Sequence, residues 1–416
     1  MKILWISNVI FPEACKELGI TPPVVGGWMQ SGADALIDMD NNITLAVASL
    51  YHCNEIKKIK GERITYYLIP SGKDNLCFDH KKVISFTRVI QDFNPNLVHI
   101  HGSEYPHSLA AAMACGNTPF VVSVQGLVSR YYYYYYGGIR EKEVHSTATL
   151  RDLLRCDRVE DQCRKMGQRG IYEQELYRKS CHVIGRTSWD KSCIWAINPK
   201  TKYHFCNETL RPAFYKTKWN YEDCEHHSIF ISQAYYPLKG VHQLFEALPL
   251  ILRTYPDTQV CIAGNNILNA PWYKRNGYAN YLLKIIHKYS LESCVRFLGT
   301  LSEQEMADRF AKSHVFVSAS SIENSPNSVG EAQLVGTPVI GSYVGGTMDM
   351  ITDGETGFLY RFEEISLLAM RICQLFESPK LCKELSEKER EVARKRHDGE
   401  TNAKQLCAIY YDILGQ

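Results

Sequence analysis

Short β-branched and apolar runs alternate with stretches of helical periodicity along almost the whole 416-residue chain. In the first half the strand candidates are residues 2–9, 43–50, 64–69, 97–101, 120–124, 182–186 and 202–206. In the second half they are 228–232, 259–263, 296–298, 315–318, 338–341 and 357–360. Between them the period changes to 3.6. Val83, Phe86, Val89 and Ile90 share one helix face before Asn94-Pro95 stops it, and Val241, Leu244, Phe245, Leu248 and Leu252 share another. Parallel strands need crossover connections, usually helices, so this alternation dictates parallel sheets with helices on both faces. Two such series in one chain predict an α/β protein of two Rossmann-like domains. They are expected at residues 1–206 and 228–390, joined by a polar, aromatic, non-periodic linker at 207–227. Residues 391–416 end in a helix with Leu406, Ile409, Tyr410 and Ile413 on one face, expected to pack back on the first domain.

Composition excludes several other classes. Apolar residues are 45% of the chain and charged residues 22%, the balance of a globular protein rather than a disordered or collagenous one. No run approaches the roughly 20 apolar residues of a membrane-spanning helix. The first eight residues turn polar too soon for a signal peptide and read as a buried first strand. The fifteen cysteines are scattered, odd in number and lack a Cys-x-x-Cys pair. They are therefore expected to be reduced packing residues in a cytoplasmic protein. The net charge of +2 conceals an asymmetry, because 18 Lys and Arg face 10 Asp and Glu between Arg130 and Lys218. That excess suits an anionic partner or a solvated helical face, and no nucleic-acid-binding module accompanies it.

Residues 318–359 hold the densest chemistry. A strand ends near Ser318, a loop carries Glu323 and Asn324, and Pro326 is placed to start a helix with Asn327 and Ser328 in its first turn. Such a unit presents free backbone N–H groups and a positive dipole end at the carboxyl edge of a sheet, where a diphosphate binds naturally. Glu323 and Glu331 could accept hydrogen bonds from sugar or ribose hydroxyls, one on either side of the helix start. Alone, the pair reads equally well as a cap and a surface charge.

Glu323 and Glu331 are separated by seven residues, with G-T-P-V-I and V-G-G-T-M-D downstream. This segment closely resembles the signature of the family four retaining glycosyltransferases, which have the two-domain GT-B fold with parallel sheets facing a central cleft. The resemblance covers most of the chain and is most specific from Ile229 to Leu359. It implies that Glu331 binds the ribose, that Glu323 holds the donor sugar, and that Asn324, Ser325, Asn327 and Ser328 line the sugar and diphosphate. It implies a nucleotide-sugar donor, UDP- or GDP-linked, and no metal or other cofactor. A suitable Asp-x-Asp loop is indeed missing.

The resemblance also directs attention to Gln233–Gly240. The family shows an Arg and then a Lys-Gly there, both cations facing the diphosphate. Lys239-Gly240 matches, but Ala234 stands at the Arg position, and Arg211 is the candidate substitute. In Val24-Val25-Gly26-Gly27-Trp28, Gly26 and Gly27 match a loop that approaches the donor phosphate. At the end of the 120–124 strand Gln125 stands where the family often has a His that contacts the sugar. An amide can donate and accept but cannot act as a base at neutral pH. His99 and His101 point to one side of their strand, and His101 and Trp28 are expected near the acceptor.

The most unusual segment is Arg130 followed by Tyr131, Tyr132, Tyr133, Tyr134, Tyr135 and Tyr136. Six consecutive tyrosines have no amphipathic period. Aromatic rings with polar tips suit a sugar-stacking loop or a membrane interface, and the alternative is a partly buried loop. The combined expectation is a retaining, metal-independent glycosyltransferase with Glu323, Lys239 and Gln125 at the reacting centre. Its acceptor would be a glycan or lipid-linked molecule in surface polysaccharide or glycolipid synthesis, met in the cytoplasm or at the inner membrane face. The rival readings are a sugar-nucleotide epimerase or hydrolase on the same fold, and a non-catalytic nucleotide-sugar- or glycan-binding protein.

Overall fold

The alternation of strands and helices resolves into two sheets in a computed structural model that describes residues 1–23, 26–72 and 76–416. The chain divides into two compact units. The first comprises Met1–Arg130, Lys165–Leu210 and His397–Gln416, and the second Tyr131–Arg164 and Arg211–Arg396.

The first unit contains β1 (Lys2–Ser7), β2 (Thr44–Tyr51), β3 (Lys57–Lys60), β4 (Ile64–Pro70), β5 (Leu97–His101), β6 (Phe120–Ser123), β7 (His182–Gly185) and β8 (Lys202–Phe205). Their order is β3-β4-β2-β1-β5-β6-β7-β8, parallel except for the antiparallel β3–β4 pair. Both faces are buried, which is why the strands read as continuous apolar runs rather than alternating ones. Leu4, Ile6, Val98 and Ile100 pack beneath the helices His80–Phe93 and Pro106–Ala114. Ile3, Trp5, Val47 and Leu97 pack beneath Gly27–Met39 and the last helix, Gly399–Leu414.

The second unit contains β9 (Glu225–Ile231), β10 (Gln259–Ala263), β11 (Val295–Gly299), β12 (Ser313–Ser318), β13 (Val339–Ser342) and β14 (Phe358–Tyr360), all parallel, in the order β11-β10-β9-β12-β13-β14. The chain winds outward from β9 in one direction and then returns to the other side of it with β12. The loops leaving β9 and β12 therefore diverge at a topological switch point, the place where open α/β sheets accept ligands. In the first unit β1 and β5 make the equivalent point.

Three expectations need correction. The first unit is not contiguous over 1–206, because Tyr131–Arg164 belongs to the second unit. Residues 207–227 do hold the expected unit boundary, but as packed chain rather than a non-periodic linker. They contain the helix Pro212–Lys216 and bury Leu210, Phe214, Trp219 and Cys224, and the unit boundary falls between Leu210 and Arg211. The returning tail begins at His397 rather than 391, since the charged helix Pro379–Arg396 stays with the second unit. The sequence pattern also misses β3, whose residues Lys-Lys-Ile-Lys form an edge strand protected by charge rather than burial. All fifteen cysteines are free, and nine are buried.

The returning helix is tied to the first sheet by a polar chain in the core. Trp5 Nε1 donates to the Tyr410 hydroxyl at 3.0 Å, and that hydroxyl lies 2.6 Å from His99 Nδ1. His99 Nε2 lies 2.6 Å from Ser123 Oγ. Burial lowers the His99 pKa to about 3, so the ring is neutral. The neutral ring has one donor and one acceptor nitrogen, so it bridges the Tyr410 and Ser123 hydroxyls as a single relay. Tyr410→Phe removes the central partner and strands a buried indole N–H. Urea denaturation followed by Trp fluorescence is expected to show a loss of about 1–3 kcal/mol.

Candidate active site

The loops at the β9–β12 switch point carry opposite charges. After β9, residues Pro237–Lys239 form a 3₁₀ turn that closes at Gly240 and leads into the helix Val241–Ile251. Gly240 has φ +68°, and a Cβ there would lie 1.7 Å from the Ala319 carbonyl oxygen, so only glycine lets this turn sit against the end of β12. The turn aims Lys239 at Glu323, with Nζ 2.5 Å from Oε1. Burial opposes the charged lysine, but the Glu323 carboxylate outweighs it and raises the Lys239 pKa. Ser320 Oγ donates to the same Oε1 at 2.7 Å, and Gly346 N–H donates to the Glu323 backbone carbonyl at 3.0 Å.

The helix after this loop is Asn327–Val335, with Pro326 at its N-cap and Gly336 at its C-cap. No side chain caps its start, so Asn327 and Ser328 open the helix with the dipole's positive end uncompensated by any acidic residue of the first turn. Asn324 is buried, Ser325 is half-buried, and the Ser325 hydroxyl points to Met350 Sδ at 3.6 Å.

Glu331 lies one turn into the helix and is buried. Arg211 grips its Oε1 with Nε at 3.1 Å and Nη2 at 2.7 Å, while the guanidinium also lies over the Phe214 ring. The expected substitute for the missing phosphate clamp is thus engaged by the other carboxylate, not by a position beside Lys239. Ala234 is buried and supplies no cation. Burial pushes the Glu331 pKa up to about 7 despite the pull of Arg211.

The tyrosine run also belongs to this unit. Residues Val128–Tyr131 and Tyr132–Tyr134 form consecutive helical turns. Rings therefore point in several directions. Tyr135 is buried and stacks on Tyr236 at 6.1 Å, while Tyr133 and Tyr134 are exposed. Gly137, at φ +59°, approaches so closely that a Cβ would lie 2.3 Å from the Pro237 carbonyl oxygen, and its own carbonyl lies 2.7 Å from His242 Nε2. Ser321 N–H donates to the Leu238 carbonyl and Ser321 Oγ to the Tyr134 carbonyl. The run is thereby fixed to both loops of the switch point. With Tyr343, Arg361 and Phe362 it lines an open groove.

In the first unit Gln125 follows β6 and is held on both sides of its amide. Nε2 donates to Glu208 Oε1 at 2.7 Å, and Oε1 faces Arg186 Nη2 at 3.4 Å. Arg186 and Glu208 also form a salt bridge. Sequence reasoning missed both partners. Their only signal is position, each following a parallel strand at its carboxyl end. Gly26 adopts a left-handed conformation at the N-cap of Gly27–Met39, and Trp28 lies in that helix's first turn. Val24 and Val25 of the same loop lie outside the described residues. His101 is buried with both ring nitrogens unpartnered, stacked on His99 and close to Trp5 and Trp28. Burial keeps it neutral. Arg130 is half-buried beside Cys193.

Among the described residues, one set could gather round a metal ion: Cys224, His226 and His314, whose ligand atoms lie within 4.8 Å of one another. His314 Nδ1 accepts from the His227 N–H, which leaves the proton on Nε2 toward Cys382 Sγ at 3.6 Å. Burial raises the thiols of Cys224 and Cys382 to about 11 and about 12. The cluster lies at the amino ends of β9 and β12, away from the Lys239 edge.

Comparison with known proteins places this geometry in context. Residues 220–392 match the family model described as glycosyl transferases group 1. The chain is 22% identical over 328 residues to a glycogen synthase of Mycobacterium tuberculosis, covering 77% of this chain and 69% of that one. Among solved structures it is similar to a sucrose-phosphate synthase from Thermosynechococcus elongatus, with TM-score 0.72 and 16% identity over 100% of this chain and 99% of that one. It is also similar to HepE of Anabaena in complex with UDP and glucose, with TM-score 0.67 and 17% identity over 99% of both chains. At such identities the structural likenesses establish the fold.

The Glu331 environment makes a stability prediction. From its ordinary value of 4.5 up to about 7, the folded chain keeps a proton that the unfolded chain has lost. Its contribution is therefore fully present below pH 4.5 and is lost as pH rises through about 7. Denaturation midpoints of wild type and Glu331→Gln should differ in slope across this window and run parallel above it.

Proposed function

We propose that the chain, whose residues 220–392 match the group 1 glycosyl transferases and which has the two-unit GT-B fold, moves a sugar from a nucleotide-sugar donor to a glycan or lipid-linked acceptor, with retention at the anomeric carbon and without a metal. The observation that carries this reading is the Lys239–Glu323 pair at the switch point, beside the uncapped start of Asn327–Val335. Without a donor the two charges satisfy each other. A donor can replace each partner in kind: its diphosphate takes the ammonium and the helix N–H groups, and its sugar hydroxyls take the carboxylate. Glu331 then accepts the ribose hydroxyls while Arg211 holds its carboxylate in place. The Anabaena neighbour solved with UDP and glucose supports a uridine-linked donor, and a guanosine-linked one is the other expectation from the signature.

In the proposed reaction the acceptor hydroxyl oxygen bonds to the anomeric carbon as the bond to the diphosphate breaks. Lys239 and the helix dipole stabilise the charge on the leaving diphosphate. Gln125, whose amide Arg186 and Glu208 orient, can hydrogen-bond a sugar but cannot take a proton. The proton of the acceptor therefore passes to the departing phosphate, on the face where that group leaves. This arrangement retains configuration. An epimerase or hydrolase would need an acid–base pair near the sugar, and the histidine that could serve in it, His101, is buried against Trp5 and His99, where burial disfavours taking up a proton. The exposed rings of Tyr133 and Tyr134, with Tyr343, form the proposed acceptor-side stacking surface. Synthesis of a surface polysaccharide or glycolipid is the proposed setting.

Lys239→Ala is expected to lower kcat by about 10²–10³, the usual cost of losing one group that stabilises developing charge. Glu331→Ala should weaken binding of the nucleoside diphosphate, measured by calorimetry, with little change in fold; unaltered affinity would remove the ribose assignment. Replacing Tyr133 and Tyr134 with serine should raise the acceptor KM and spare donor hydrolysis. NMR of the product should show the donor's anomeric configuration.

A further inference from the structure

The second unit exposes an apolar surface that the donor site does not use. The helix Leu150–Arg155 reads L-R-D-L-L-R. Its leucines recur at i, i+3 and i+4, the spacing of one helix face, and such a face is normally turned to the core. Here it is turned outward: Leu150 is 74% exposed, Leu153 54% and Leu154 79%. Beside it stands the 3₁₀ turn Trp272–Lys274, with Trp272 78% and Tyr273 57% exposed. Single exposed apolar residues are ordinary, but five large ones on two adjoining segments are not.

The surface is built rather than loose. Asp152, on the opposite face of the helix, is fully buried. It accepts from Gly277 N–H at 2.7 Å and Thr149 N–H at 3.2 Å, and pairs with Arg151 at 2.8 Å. Thr149 Oγ1 donates to the Arg275 carbonyl at 3.2 Å, and Arg275 Nε closes its own loop on the Ala270 carbonyl at 2.7 Å. The inward face is thus spent on joining the two segments, which forces the leucines out.

The unpaired charges beside the apolar tips are cationic, since Asp157, just after the helix, is bonded to Arg151 and Gln162. Arg155 and Lys274 are exposed, and Lys274 lies over the Tyr273 ring. The only carboxylate in residues 149–155 is the buried Asp152, and residues 270–275 contain none. Leucines for the acyl boundary, Trp and Tyr for the headgroup level, and cations that reach lipid phosphates make an interfacial pattern. A sugar would want rings and hydroxyls rather than branched alkyl tips. Among the described residues no helix is long and apolar enough to cross a membrane, so such a contact would be peripheral.

From this we infer that Leu150, Leu153, Leu154, Trp272, Arg155 and Lys274 dock the chain on an anionic phospholipid bilayer. The inference does not depend on the donor reading, and it moves the membrane contact from the tyrosine run to a different surface. The experiment is co-sedimentation of the full chain with vesicles of phosphatidylcholine alone and of phosphatidylcholine with phosphatidylglycerol. Binding to the anionic vesicles that weakens with salt is expected. Leu153→Ser with Leu154→Ser and Trp272→Ala should lower partitioning by about tenfold or more, since partitioning scales with inserted apolar area. Arg155→Glu with Lys274→Glu, which leaves the apolar tips intact, should abolish the preference for anionic lipid and guards against misfolding of the first variant. Nucleotide binding should survive in both, because neither touches the Lys239 loops. Absence of wild-type sedimentation, or sedimentation unchanged in both variants, would overturn the inference. So would finding that the leucine and tryptophan substitutions instead dissolve a dimer of the wild type, which would make the patch a protein interface.

Discussion

A lysine and a glutamate at the centre of one sheet govern what the second unit can do. Lys239 and Glu323 come from strands adjacent in space but far apart in sequence, and they meet because the chain reverses direction between β9 and β12. Two partly buried charges in that place are costly unless each has a partner, and in the free protein each is the other's partner. The same requirement defines the ligand. A molecule that separates them must bring an anion for the ammonium and hydroxyl donors for the carboxylate. A nucleoside diphosphate sugar carries both within a few bonds.

The surroundings of the pair are arranged around close backbone approaches. Gly240 lets the lysine turn lie against the end of β12, and Gly137 lets the tyrosine segment lie against that turn. Ser321 then bonds both neighbours. A change in the tyrosine segment is therefore mechanically close to the lysine turn, although more than a hundred residues separate them in sequence. The tyrosine segment and both loops of the switch point are thereby packed into one frame.

Much of this is legible in the sequence alone. Strands buried on both faces leave unbroken apolar runs, so thirteen of the fourteen strands show in the pattern. The exception, Lys57–Lys60, is an edge strand whose protection is charge. The resemblance picked out Glu323 and Glu331 by their local spacing and Lys239 by the glycine that follows it. What the sequence could not show was pairing at a distance. Arg211 sits 120 residues from Glu331, and nothing near it in the chain distinguishes a clamp for phosphate from a support for a carboxylate. Arg186 and Glu208 look like surface charges until the ends of their strands are brought beside Gln125. The tyrosine run was assigned to the wrong unit because Gly137–Pro237 and Tyr135–Tyr236 contacts decide its place, not its composition. The helix Leu150–Arg155 has an ordinary amphipathic sequence, and only the burial of Asp152 reveals that its apolar face points outward.

The central claim is that the second unit is built for a nucleotide sugar. Thermal denaturation of the full chain across a panel of nucleotide sugars tests it most directly, because a ligand that binds only the folded state raises the midpoint by mass action. A raised midpoint with at least one UDP- or GDP-linked sugar, larger than with the matching monophosphate, is the predicted result. A flat panel at high concentrations of every UDP- and GDP-linked sugar would contradict it.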